Sequence, residues 1–185
     1  MSMLNRFRRL YWCYFSKPQA ARTLYRAVCR TRAISIVELG ITDPDRSLRL
    51  IQLATGFSPD RPVCYTAIDP FDARREGQSP LTLKGAHRLF SATSAKIKLV
   101  PGLPEESLGS VANTLLDTDL VVFAHDVAVD PAARLWFFLP RLLHAQSRIL
   151  RHGRPSEEDL HPAFSEIEHA EIARLAENQT RRKVA

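Results

Sequence analysis

Ile34-Ser35-Ile36-Val37-Glu38-Leu39-Gly40 is the stretch on which the fold turns. A short β-branched run ends in an acid and a glycine, which reads as a buried strand leaving the sheet in a turn. Asp43 and Pro44 follow, an N-cap residue and a proline suited to the first helical position. Leu48, Ile51 and Ala54 then repeat at helical spacing, and Gly56 is expected to stop the helix. The unit is therefore strand, turn, helix.

The same unit recurs along the chain. Strands are expected at 63–68, 97–100, 120–124 and 147–150. A polar loop at 71–80 leads to a helix presenting Leu83, Ala86, Leu89 and Phe90. A second presents Leu108, Val111, Ala112 and Leu115. A third presents Leu135, Phe138, Leu139, Leu142 and Leu143, bent by Pro140. Alternating strands and helices predict an α/β fold: a Rossmann-like, doubly wound, mainly parallel sheet of about five strands with helices on both faces. In such sheets ligands lie beyond the carboxyl ends of the strands, near the point where the strand order reverses. The polar strand ends here are Glu38 and Gly40, Asp69, Gly102, and His125 with Asp126. They are expected to meet in one crevice.

Outside this core, which spans 34–151, the sequence changes character. Residues 1–33 carry two helical patterns, Leu4, Phe7, Leu10, Tyr11 and Tyr14, then Ala21, Leu24, Tyr25 and Val28. Residues 1–37 hold eight cations and no acid, so this segment is +8 in a chain of +6. Such a segment can contact nucleic-acid phosphates, lie on an anionic membrane, or pack on the core or a second subunit of a homo-oligomer. Residues 152–185 read as a charged loop, one helix with Phe164, Ile167 and Leu175, and a basic tail.

At 185 residues the chain suits one domain able to bury its own core. Cys13, Cys29 and Cys64 form no paired framework and read as buried thiols in a reducing, cytoplasmic setting. No apolar run is long enough to span a bilayer, and the N-terminus lacks the pattern of a secretory signal. The six histidines show no zinc-ligand spacing, and no metal site is expected.

The order of strand ends resembles the class I S-adenosylmethionine-dependent methyltransferases. Val37-Glu38-Leu39-Gly40 is similar to the family's first motif, and Tyr65-Thr66-Ala67-Ile68-Asp69 to its second strand. Asp119 to Phe123 followed by Ala124-His125-Asp126 is similar to its fourth-strand motif, and Leu139 to His144 to the helix before its fifth strand. The resemblance implies a methyltransferase with S-adenosylmethionine as cofactor and a small-molecule substrate as methyl acceptor. Glu38, Gly40, Thr42, Asp69, Gly102 and Leu103 would line the cofactor, with Asp69 accepting from both ribose hydroxyls. A carboxylate suits a vicinal diol because it accepts two hydrogen bonds at once; Asp69 would otherwise simply cap the turn before Pro70. His125 would take a proton from the acceptor, or Asp126 would orient it; otherwise both are polar strand-end groups.

The sequence also departs from the family. Ile41-Thr42-Asp43-Pro44-Asp45 replaces its glycine-rich loop, Ala145-Gln146 replaces a Gly-Gly pair, and Leu103 stands where a polar residue is usual. The family's antiparallel C-terminal strands are not evident in 152–185. Pro44 removes an amide, and Asp43 and Asp45 place negative charge where a pyrophosphate would sit, which disfavours dinucleotides. The same acids also serve a helix start. A catalytically silent relative, kept as a binding or scaffold module, is the alternative reading. A nucleic-acid methyltransferase is the third.

Overall fold

A computed structural model describes residues 7, 9–17, 19–58, 60–124, 127, 133–153 and 162–184. All five expected strands are present: β1 (Ser35–Leu39), β2 (Cys64–Asp69), β3 (Lys96–Pro101), β4 (Thr118–Phe123) and β5 (Leu143–His152). They lie in one sheet with β6 (Phe164–Glu166), in the order β3-β2-β1-β4-β5-β6. The first five are parallel, and β6 runs antiparallel to β5. The order reverses between β1 and β4, so the ligand position expected of a doubly wound sheet lies at their carboxyl ends.

Helices cover both faces. A π-helical turn (Tyr11–Phe15), α1 (Ala20–Thr31), α2 (Pro44–Phe57) and α3 (Leu83–Phe90) lie on one side. On the other are α4 (Pro104–Val111), α5 (Leu135–Phe138) and α6 (His169–Val184). The strand pleat sorts the side chains between them. Ile36, Leu120, Val122 and Leu150 join Leu24, Leu50 and Phe90 in the first core. Val37, Val121, Phe123 and Ile149 join Leu108, Trp136 and Ile172 in the second. This is the period-two alternation of a sheet buried on both faces.

The start of α2 is built as the sequence predicts. The Asp43 carboxylate accepts from the amides of Asp45 at 3.0 Å and Arg46 at 3.1 Å, and Pro44 occupies the first turn. Asp119 performs a similar service at the far end of the sheet, accepting from the amides of Ile34 and Ser35.

Several expectations are corrected. Gly56 does not stop α2, which continues through Phe57. The helix expected to bend at Pro140 is instead cut short: α5 gives one turn, a 3-10 turn (Leu139–Arg141) holds the proline, and Leu143 opens β5. A proline cannot supply the amide that a continuing helix needs. Phe164 belongs to a strand rather than to the last helix, so an antiparallel C-terminal strand does exist. Of the cysteines only Cys13 is fully buried, while Cys64 is exposed at the first position of β2. In the N-terminal segment, α1 packs into the core through Leu24, Tyr25 and Val28, but Phe7, Leu10, Tyr11, Tyr14 and Phe15 face solvent.

Candidate functional site

Three backbone bonds align the strand ends. The Gly40 amide donates to Ile68 O at 2.8 Å, the Gly102 amide to Asp69 O at 3.0 Å, and the Ala124 amide to Leu39 O at 2.9 Å. Beyond them opens a crevice of about 860 Å³ lined by Gly40, Asp69, Gly102, Leu103, Glu105 and Val127, among others. Its volume falls in the range that holds a nucleoside-sized ligand. The expected convergence of Gly40, Asp69, Gly102 and Leu103 is therefore observed. His125 and Asp126 lie outside the described residues.

Two glycines shape the wall. Gly40 and Gly102 have φ of 77° and 129°, conformations that side chains rarely adopt. A Cβ on Gly102 would also fall 2.2 Å from the Ser107 hydroxyl, so this turn packs directly on α4.

Asp69 is the centre of the site, and its carboxylate is fully engaged. Oδ2 accepts from the Ile41 amide at 2.8 Å, and Oδ1 from the Phe71 amide at 2.8 Å. Arg74 adds two more bonds, from Nε to Oδ1 at 2.9 Å and from Nη2 to Oδ2 at 2.8 Å. A carboxylate offers about four acceptor positions, so all are taken. Arg74 also reaches the carbonyls of Ile41 and Ser79, tying the loops after β1 and β2 together. Both partners of the ion pair are nearly buried. Phe71 holds a left-handed φ of 48° with its ring in the core. Such a backbone costs roughly 1–3 kcal/mol in a bulky residue and persists because its surroundings enforce it.

Glu38 and Thr42 are placed elsewhere. The pleat puts Glu38 on the same face as Ile36, beneath α2 rather than in the crevice. Its wholly buried carboxylate accepts from Arg46 Nη2 at 2.7 Å and the Tyr65 hydroxyl at 2.6 Å. Burial, reinforced by the neighbouring carboxylate, pushes the Tyr65 phenol well above its usual range. Arg46 Nη1 donates to the Thr42 hydroxyl at 3.1 Å, and its guanidinium lies 5.3 Å from the Phe164 ring centre. Glu38 thus anchors the first turn of α2, and through Thr42 the loop above it. The sequence reading missed Arg74 and Arg46. Arg46 had a signal, a cation in the helix turn that follows a buried acid, whereas Arg74 sits in a polar loop with no period to reveal it.

Among the described residues no three His, Cys, Asp or Glu side chains gather to hold a metal ion, and no helix is long and apolar enough to cross a membrane.

Fold and crevice together define a Rossmann-like α/β domain with a crevice at the carboxyl ends of its strands. Comparison with solved structures agrees: the crystal structure of the trans-methyltransferase CalH in complex with SAH matches 95% of this chain with a TM-score of 0.50 at 14% identity. The match covers 51% of the CalH chain, so the present chain spans about half its length. At that identity the likeness shows the fold. No protein-family model and no curated protein matches the sequence.

Proposed function

We propose that the crevice binds S-adenosylmethionine and that the protein transfers its methyl group to a small-molecule acceptor. The observation that carries this reading is that Gly40, Asp69 and Gly102, from three neighbouring strand ends, line one crevice of nucleoside size. The structural neighbour, itself complexed with SAH, supports it.

The fit to the cofactor is good in space and conditional in chemistry. Gly40 and Gly102 present bare backbone to the crevice, and Leu103, partly exposed at its rim, offers an apolar surface for a purine. Asp69 can accept from ribose hydroxyls only if Arg74 withdraws, because its acceptor positions are filled. In this reading two hydroxyl donors replace the two guanidinium bonds, and Arg74 swings out with the loop that follows β2. The bound cofactor would supply an electrophilic methyl group on a sulfonium. Alignment of the acceptor is then the main task of the protein. His125, directly after Ala124, would take the acceptor's proton, or Asp126 would orient it.

The filled carboxylate favours a second reading, in which the fold persists as a silent binding or scaffold module. Calorimetric titration with S-adenosylhomocysteine separates the two. Micromolar binding is expected to wild type. Arg74→Gln should tighten it about tenfold by raising the competent fraction, and Asp69→Asn should abolish it. Folded wild type and Arg74→Gln that both fail to bind would end the methyltransferase reading and leave the silent one.

A further inference from the structure

Remote from the crevice, Cys13 of the π-helical turn faces Cys29 of α1, with the sulfurs 3.2 Å apart. Both line a separate hollow of about 350 Å³ whose wall includes Arg9, Arg26, Arg30 and Arg32. Arg9 is held over the Phe57 ring, 4.7 Å from its centre. The hollow thus joins a close dithiol to four cations. We propose that Cys13 and Cys29 form a thiol–disulfide exchange site for a small anionic disulfide of the glutathione type.

The roles follow from the surroundings. The thiolate is the attacking form, and neighbouring cations favour it. The hydrogen bond with Cys29 lowers the Cys13 pKa most, and Arg9 and Arg26 lower it further against the effect of burial. Cys29 is pushed the other way by the same hydrogen bond and by burial. Arg9 acts on both sulfurs and Arg26 on Cys13 alone, which favours Cys13 as the nucleophile. Its sulfur forms a bond to one sulfur of the incoming disulfide; that S–S bond breaks, and the first small thiolate leaves and gains a proton. Cys29 then loses its proton and attacks the Cys13 sulfur, expelling the second small thiol. Two protein thiols are oxidised and one small disulfide is reduced to two thiols. The two sulfurs need approach by only about 1 Å to reach bonding distance.

The test uses the full chain with exposed Cys64 changed to Ser, reduced and then exposed to glutathione disulfide. Intact mass and peptide mapping should show a Cys13–Cys29 disulfide and loss of two hydrogens. With Cys29→Ser a single glutathione should remain on Cys13. The cationic disulfide cystamine should react at least roughly tenfold more slowly, since the arginines repel it. Persistence of both free thiols in excess glutathione disulfide would overturn the proposal, as would an adduct confined to Cys29 or equal rates with cystamine.

A second observation stands independently. Five of the seven exposed large hydrophobic side chains among the described residues are Phe7, Leu10, Tyr11, Tyr14 and Phe15, with Phe7 and Phe15 at 68% and 67% exposure. They share a segment whose described cations, Arg9, Lys17, Arg22, Arg26, Arg30 and Arg32, meet no acid before Glu38. We infer that this ridge docks on an anionic lipid surface. A second copy would bring the same positive charge against itself, and phosphate contacts alone would leave the phenylalanines unused. The full chain should sediment with phosphatidylglycerol-containing vesicles and not with phosphatidylcholine alone. Phe7→Ser with Phe15→Ser should weaken the anionic binding at least about tenfold, given the apolar area lost. No binding to anionic vesicles, or binding indifferent to the two substitutions, would refute the docking. RNA binding that survives those substitutions while vesicle binding is absent would assign the surface to nucleic acid instead.

Discussion

Replacing Glu38 by Gln tests the buried side of the site most directly. Glu38 and Arg46 pair at 2.7 Å with side-chain exposures of 0% and 5%, and Tyr65 adds a 2.6 Å bond. Glutamine keeps the shape but leaves the guanidinium charge buried without its counter-ion. Breaking such a pair from one side costs about 3–5 kcal/mol. For a domain of this size each kcal/mol lowers Tm by about 2–4 °C, so a drop of roughly 6–20 °C is expected by scanning calorimetry. Removing the buried cluster, as Glu38→Met, Arg46→Met and Tyr65→Phe together, should recover most of that loss, because no orphaned buried charge remains and the Thr42 hydroxyl, half-buried, can turn to water. A Glu38→Gln protein that melts within about 2 °C of wild type would refute the reasoning, since that shift corresponds to no more than about 1 kcal/mol. A triple variant that melts lower than the single one would also refute it.

Three further outcomes are expected. Gly102→Ala forces a Cβ against the Ser107 hydroxyl at 2.2 Å and keeps a strained φ; it should destabilise by about 2 kcal/mol in urea titration, and Ser107→Ala in the same chain should restore only the steric part. Asp43→Ala removes the cap of α2 and should cost about 1 kcal/mol by the same measurement. Glu166 accepts two hydrogen bonds from Arg148 across β5 and β6, which holds its carboxyl below the ordinary 4.5. Its contribution is therefore present above that value and lost as pH falls through the lowered pKa; Glu166→Gln should flatten the acid limb of the stability–pH curve.

What the sequence made legible was whatever carries a period or a cap. The runs ending at Leu39, Asp69, Pro101 and Phe123 are rich in β-branched and apolar residues, and Asp43-Pro44 is a helix start in two residues. β6 escaped because three residues are too short to display alternation, and Phe164 alone fits a helix as well as a strand. The orientation of Glu38 was recoverable, since Ile36 two positions earlier faces the α1–α2 side. The saturation of Asp69 was not. It depends on Arg74 folding back across an irregular loop, which only tertiary structure reveals.

β3 forms one margin of the sheet, and its composition decides what can join there. Lys96 and Lys98 are exposed along it, and Pro101 ends it without an amide to offer. A foreign strand adding to this margin would have to dehydrate ammonium groups and forgo one rung of its ladder. The chain thereby carries its own safeguard against fibrous self-assembly, set on the strand that a parallel sheet would otherwise leave open to extension.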